Sequence, residues 1–194
     1  VLMRTTVAEF AGVESEEVPI SVDGCGVPAF HLSLYRTAWM YARLMATSQG
    51  AEVPGALERY AESAQQIVEA MTSFPELVAG NWSITTPLMQ AFAGDLLAKE
   101  GAEGLYAMAL SPAMKEALTE RLKLDDDCAI GIALKIHDGN MTRGRNLVIL
   151  RTLEQLGLDL GTAPELQSHR EWPVRNVAGR VVGEVRAEFE LEIV

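Results

Sequence analysis

Apolar positions recur near helical spacing in LSLYRTAWMYARLMAT (32–47), at Leu34, Ala38, Leu44 and Met45, and predict an amphipathic helix. Pro54 and Gly55 open a second helical pattern, ALERYAESAQQIVEAMTSF (56–74). It places Leu57, Tyr60, Ala64, Ile67, Val68 and Met71 on one face, and Pro75 stops it. TTPLMQAFAGD (85–95) predicts a shorter helix, capped by Thr85 or Thr86 with Pro87 in its first turn. Strand-like runs follow at LLAK (96–99), LYAMAL (105–110) and AIGIALKIHD (129–138), with a helical stretch at 111–123 between the last two. The turn DGN (138–140) leads into a helix over 142–157 that ends before Gly157. The tail, 179–194, alternates apolar and charged residues and predicts a half-exposed strand. Residues 1–10 read as a helix end, and 12–30 as turn-rich. Helices first, then strands mixed with helices, imply an α+β fold in which an antiparallel sheet packs against helices.

The 194 residues suffice for a single domain spanning 1–194. A hydrophobic share of 48% with 22% charged residues is that of an ordinary globular protein. The net charge of −11 leaves no basic stripe, so nucleic acid is not an expected partner. No run approaches the ~18 apolar residues of a membrane span, so no membrane association is expected. The opening VLMRTTVAEF lacks a basic region followed by a long apolar one, so no secretory leader is expected. Cys25 and Cys128 form neither a disulfide framework nor a CxxC knuckle, which suits a reducing cytoplasm.

Two stretches carry candidate chemistry. In DGCGVP (23–28), Asp23 and Cys25 flank one glycine and a second follows. This is a tight turn whose cysteine packs as a small apolar group, or a turn presenting a carboxylate and a soft ligand. In LLAKEGAEGLYAMAL (96–110), Lys99 interrupts an apolar run and Gly101 and Gly104 follow. The order does not match a phosphate loop, whose lysine comes after its glycines. A β-bulge with a snorkelling lysine is one reading. A K-x-G strand of the kind found in serine–lysine hydrolases is another. A lysine held partly out of water beside another cation gives up its proton more easily. Lys135, in ALKIHDGN, reads as an edge-strand lysine or as a second cation of the site. His31, His137 and His169 are scattered and suggest no triad.

DGCGVPAF, AMTSFPELVAG (70–80), TTPLMQAF, LLAKEGAEGLYA, GIALKIHDGN and LRTLEQLGL (150–158) occur in that order. Together they resemble the type II L-asparaginase family of the thermolabile rhizobial kind, over almost the whole chain. The resemblance implies a fold similar to serine β-lactamases and serine-dependent glutaminases. It implies hydrolysis of L-asparagine to aspartate and ammonia, with the serine of an S-x-x-K motif as nucleophile. It makes Lys99 and Asp23 catalytic-site residues. It gives substrate close access to backbone along Gly101, Ala102 and Glu103. It makes Cys25 one ligand of a zinc ion whose other ligands come from a C-S-G-K-H stretch.

The chain departs from that family pattern. It contains no S-x-x-K; Ser111 and Lys115 are one residue too far apart. It contains no C-S-G-K-H. The expectation is a C-terminal part of a family member, lacking its N-terminal portion and prone to self-association as a homodimer or with the missing half. A non-catalytic remnant that binds a small amino acid or a partner is a second expectation, and another reaction on the same scaffold, such as glutamine hydrolysis or a penicillin-recognising activity, is a third. GNWSITT (80–86) has Ser83 and Thr85 where the family usually has an arginine and often an aspartate, which bears on specificity if the loop touches substrate. Asp125, Asp126 and Asp127 read as a solvated turn.

Overall fold

The N-terminal pattern folds as helix α1 (Leu2–Ala11), and its buried Ala8, Phe10 and Ala11 turn inward. This is a computed structural model, and it describes residues 2–118, 122, 128–161 and 163–192. The turn-rich stretch that follows is a hairpin of β1 (Ile20–Val22) and β2 (Pro28–Phe30), with DGCG at its tip. Helix α2 (Leu34–Ser48) starts at Ser33, whose hydroxyl accepts the Arg36 N–H.

The helix expected over 56–74 is two helices, α3 (Gly55–Glu58) and α4 (Ala61–Ser73). The break falls where Arg59 and Tyr60 turn to α1. Tyr60 packs on Phe10 with ring centroids 5.4 Å apart, and its hydroxyl donates to Glu9 at 2.7 Å. Pro75 ends α4 as expected, and it also opens α5 (Pro75–Ala79) from the first helical position. Helix α6 (Thr85–Ala91) is shorter than predicted and has Ile84 at its cap. Neither threonine caps it, because both hydroxyls are used elsewhere. Thr85 bonds the Tyr106 hydroxyl at 2.9 Å, and Thr86 donates to the carbonyls of Pro75 and Gly80.

The central sheet runs β3 (Leu96–Glu100), β4 (Leu105–Leu110), β5 (Ile130–Lys135), in that spatial order and antiparallel throughout. The α+β class with an antiparallel sheet is therefore present. The β3–β4 register is unbroken from Leu96↔Leu110 to Glu100↔Tyr106, so the glycines do not mark a bulge. They build the hairpin turn: the Gly101 N–H donates to the Leu105 carbonyl, and Gly104 takes the left-handed φ of +77°. Between β4 and β5 a short 3-10 segment covers Pro112–Ala117 in place of the predicted helix. Residues 119–121 and 123 of that predicted helix, and the three aspartates at 125–127, lie outside the described residues.

Because side chains alternate across a strand, register assigns each residue to a face. Lys99, Ala107 and Ala133 share one face, with Leu97, Ala109 and Gly131 in the next row. Small residues there let α2 approach closely. A Cβ on Gly131 would meet the Ala38 carbonyl oxygen at 1.8 Å. The opposite face carries Ala98, Met108 and Ile132, then Glu100, Tyr106 and Leu134. Its core includes Leu88 and Met89 of α6 and Ile149, Leu150 and Leu153 of α7 (Arg145–Gln155).

After α7 come α8 (Pro164–Gln167) and a hairpin of β6 (Trp172–Arg175) and β7 (Val181–Val185). The predicted final strand stops at Val185. Beyond it, the Gln155 side chain donates to the Phe189 carbonyl and accepts the Leu191 N–H, so this part of the tail bonds to α7 rather than to a strand. Among the described residues no helix is long and apolar enough to cross a membrane.

Candidate active site

A cleft of about 640 Å³ opens between the β1–β2 hairpin, α2 and the end of the central sheet. Lys99, Gly101, Ala102 and Lys135 line its sheet side, and Phe30, His31, Thr37 and Tyr41 line the other. A larger hollow of about 760 Å³ lies between α2, α4 and α6. Among the described residues no lysine, arginine or histidine lines it, and none of the candidate-chemistry residues does.

Lys99 projects from β3 and is exposed, not held out of water. Its Nζ donates to the Glu100 carbonyl at 2.8 Å. Lys135 sits on the edge strand β5, as the edge-strand reading expects, and lines the same cleft. Its Nζ donates to the Glu103 carbonyl at 2.6 Å. Each ammonium keeps further N–H donors for a ligand. Burial pushes the Tyr41 hydroxyl up to about 12, so at neutral pH it is a phenol that can donate but not a base.

The sequence-predicted residues divide into two groups. Lys99, Gly101 and Ala102 come together on the cleft wall. Gly101 offers close approach, but its N–H is already bonded to Leu105 and is not available to an oxyanion. Glu103 lies on the turn, exposed, with φ +55° and outside the lining. Asp23 and Cys25 stand at the exposed hairpin tip, also outside the lining. The Asp23 carboxylate accepts the N–H groups of Cys25 and Val27 at 2.8 and 2.9 Å, which holds the turn. Both cysteines are free and exposed. Among the described residues no three His, Cys, Asp or Glu side chains gather to hold a metal ion. Cys25 and a turn-bound Asp23 fall short of the ligand set zinc takes.

The GNWSITT loop does not touch this cleft. Ser83 and Thr85 are buried, and the Ser83 hydroxyl accepts the Thr85 N–H at 3.1 Å. Ser111 is also buried, and donates to Asp95. Behind the sheet, Glu100 meets Arg145 at 2.7 Å, with side chains 16% and 5% exposed. The guanidinium lies 5.4 Å from the Tyr106 ring centroid, while its Nε and Nη1 have no hydrogen-bond partner. Stacking on the ring offsets part of that cost.

A cleft wall carrying a lysine on a strand, followed by a glycine turn, is the arrangement the sequence pattern pointed to. The sequence matches the family model for L-asparaginase II over residues 1–187. The chain belongs to the L-asparaginase II family. No curated protein matches the sequence. At family level the match supports an asparagine-hydrolysing amidohydrolase acting on a small molecule. What sequence reasoning missed is most of the opposite wall of this cleft. Phe30 and His31 belong to a hairpin read only as turn-rich; Lys135 was named, and it shares a sheet face with Lys99 through β4, which pairs with both strands.

Proposed function

We propose that the cleft binds L-asparagine and serves its hydrolysis to aspartate and ammonia by serine–lysine chemistry. The family match over residues 1–187, with Lys99 on the cleft wall, is the observation that carries this reading. A serine hydroxyl attacks the side-chain amide carbon. The hydroxyl proton passes to the amide nitrogen, which leaves as ammonia, and Lys99 is the cleft-wall lysine that the family pattern assigns to the site. Water then cleaves the acyl ester and releases aspartate. The substrate lies against Gly101 and Ala102, where small side chains admit it.

The serine itself is the open part of this scheme. The 194 residues contain no S-x-x-K, and among the described residues no serine lines the cleft. That observation favours a second reading, a domain that binds a small amino acid without chemistry. Ammonia release and calorimetry with L-asparagine test both. The expected result is measurable binding with ammonia release at background. Turnover by the 194-residue chain near the ~1 s⁻¹ or more of ordinary enzymes would overturn the need for that serine. No binding of asparagine would overturn both readings. The coding DNA upstream of Val1 separates them: an in-frame S-x-x-K supports the hydrolase, and a start codon at the boundary supports the binding domain.

A further inference from the structure

The chain has four lysines among 194 residues and a net charge of −11, yet two of the four line one cleft. Register explains how. Lys99 is level with Ala107 and Ala133, and Lys135 lies two residues beyond Ala133 on the same face. Strand spacing puts the two backbones about 10 Å apart across the sheet and ~7 Å along it. Long, flexible side chains from those positions can reach a single small ligand. Their ammonium groups are anchored to neighbouring carbonyls, at Glu100 and Glu103, so both are held at the same hairpin turn.

Among the described residues the only carboxylate-bearing one in the lining is Glu100. The pleat turns its side chain to the opposite face, where Arg145 neutralises it. The lysines therefore meet no carboxylate side chain of the lining in the cleft, and the site they make is complementary to two negative groups.

From this we infer that Lys99 and Lys135 form a paired-cation site for a dicarboxylate, so that the cleft holds aspartate more tightly than asparagine. The inference rests on the asparaginase reading for the identity of the ligand, and on the two lysines for its chemistry. Asparagine carries one carboxylate, and its amide gives a lysine only a neutral acceptor. Aspartate carries two, and the second makes a charge-assisted contact. The reaction product would then slow its own release, and the enzyme would be inhibited by aspartate.

Calorimetry on the 194-residue chain with L-aspartate, L-asparagine and succinate tests this, with Lys135→Gln and Lys135→Arg compared after matching their thermal melts. The expected result is aspartate binding about tenfold tighter than asparagine, a preference that Lys135→Gln erases and Lys135→Arg keeps. Asparagine binding as tightly as aspartate, or a preference unchanged in Lys135→Gln, overturns the inference and leaves the asparaginase reading standing. Succinate binding that depends on Lys135, with no binding of either amino acid, upholds a paired-cation dicarboxylate site but overturns its preference for aspartate and, with it, the asparaginase reading. Absence of binding by all three overturns both.

Discussion

Gly131 of β5 lies under the Ala38 carbonyl of α2 with no room for a methyl group between them; an added carbon would sit 1.8 Å from the oxygen and 3.0 Å from the Ala42 nitrogen. Both obstacles are backbone, so no rotamer change relieves them. Gly131→Ala must therefore push α2 off the sheet. The expected cost is at least ~3 kcal/mol, a fall in Tm of about 6 °C or more. Thermal unfolding by circular dichroism measures it, and a Tm within a degree or two of the parent protein would refute the close packing.

Glu103 takes the left-handed conformation at φ +55° in the Gly101–Gly104 turn. A residue with a Cβ pays about 1–2 kcal/mol there, and glycine recovers part of it after its own entropy cost. Glu103→Gly is expected to raise stability by about 0.5–1 kcal/mol. Urea unfolding checks this through the midpoint, and a lower midpoint would mean that the Glu103 side chain stabilises the fold in a way this geometry does not show.

The Glu100–Arg145 pair is buried, and two guanidinium nitrogens already lack partners. Removing the carboxylate leaves a buried cation uncompensated. Glu100→Gln is expected to cost about 3–5 kcal/mol, and replacing both residues by apolar ones of similar volume to cost much less. Urea unfolding of the single and double variants makes the comparison. Equal losses in the two would show that packing, not charge, dominates.

The elements most visible in the sequence were those whose pattern is local. Helix α2, strands β3, β4 and β5 and helix α7 follow from spacing that one face of one element imposes. The break at Arg59–Tyr60 was hidden because it depends on Phe10 and Glu9, some fifty residues away. The caps at Thr85 and Thr86 misled because distant partners, Tyr106 and Pro75, compete for their hydroxyls. The site divided in the same way. Lys99, Gly101 and Ala102 are contiguous and were legible together. That Lys135 shares the cleft face with Lys99 needed the pairing of β4 with both neighbours, which no single segment encodes.

His169 is half-buried beside Asn146, 3.0 Å from its side-chain amide, and burial holds its imidazolium below the ordinary value of 6.5. The unfolded chain takes the proton first. Below 6.5 it therefore binds more protons than the folded protein, and stability falls with pH. The His169 contribution is complete above 6.5 and is lost as pH drops through the folded value. His169→Gln is expected to flatten the decline in urea midpoint between pH 7.5 and 5.5. An identical decline in both proteins would assign it to other groups.

Lys99 and Glu100 are neighbours in sequence and opposites in charge, and the pleat sends them to opposite sides of one strand. The sheet thus works as a partition that sorts charge. Slipping β3 by a single residue would exchange the two, putting a carboxylate into the cleft and an ammonium against Arg145. It would also swap Ala98 with its neighbours Leu97 and Lys99 against the core. Core packing therefore proofreads the chemistry. A chain that has closed its hydrophobic interior correctly has, by the same act, turned its lysine into the cleft.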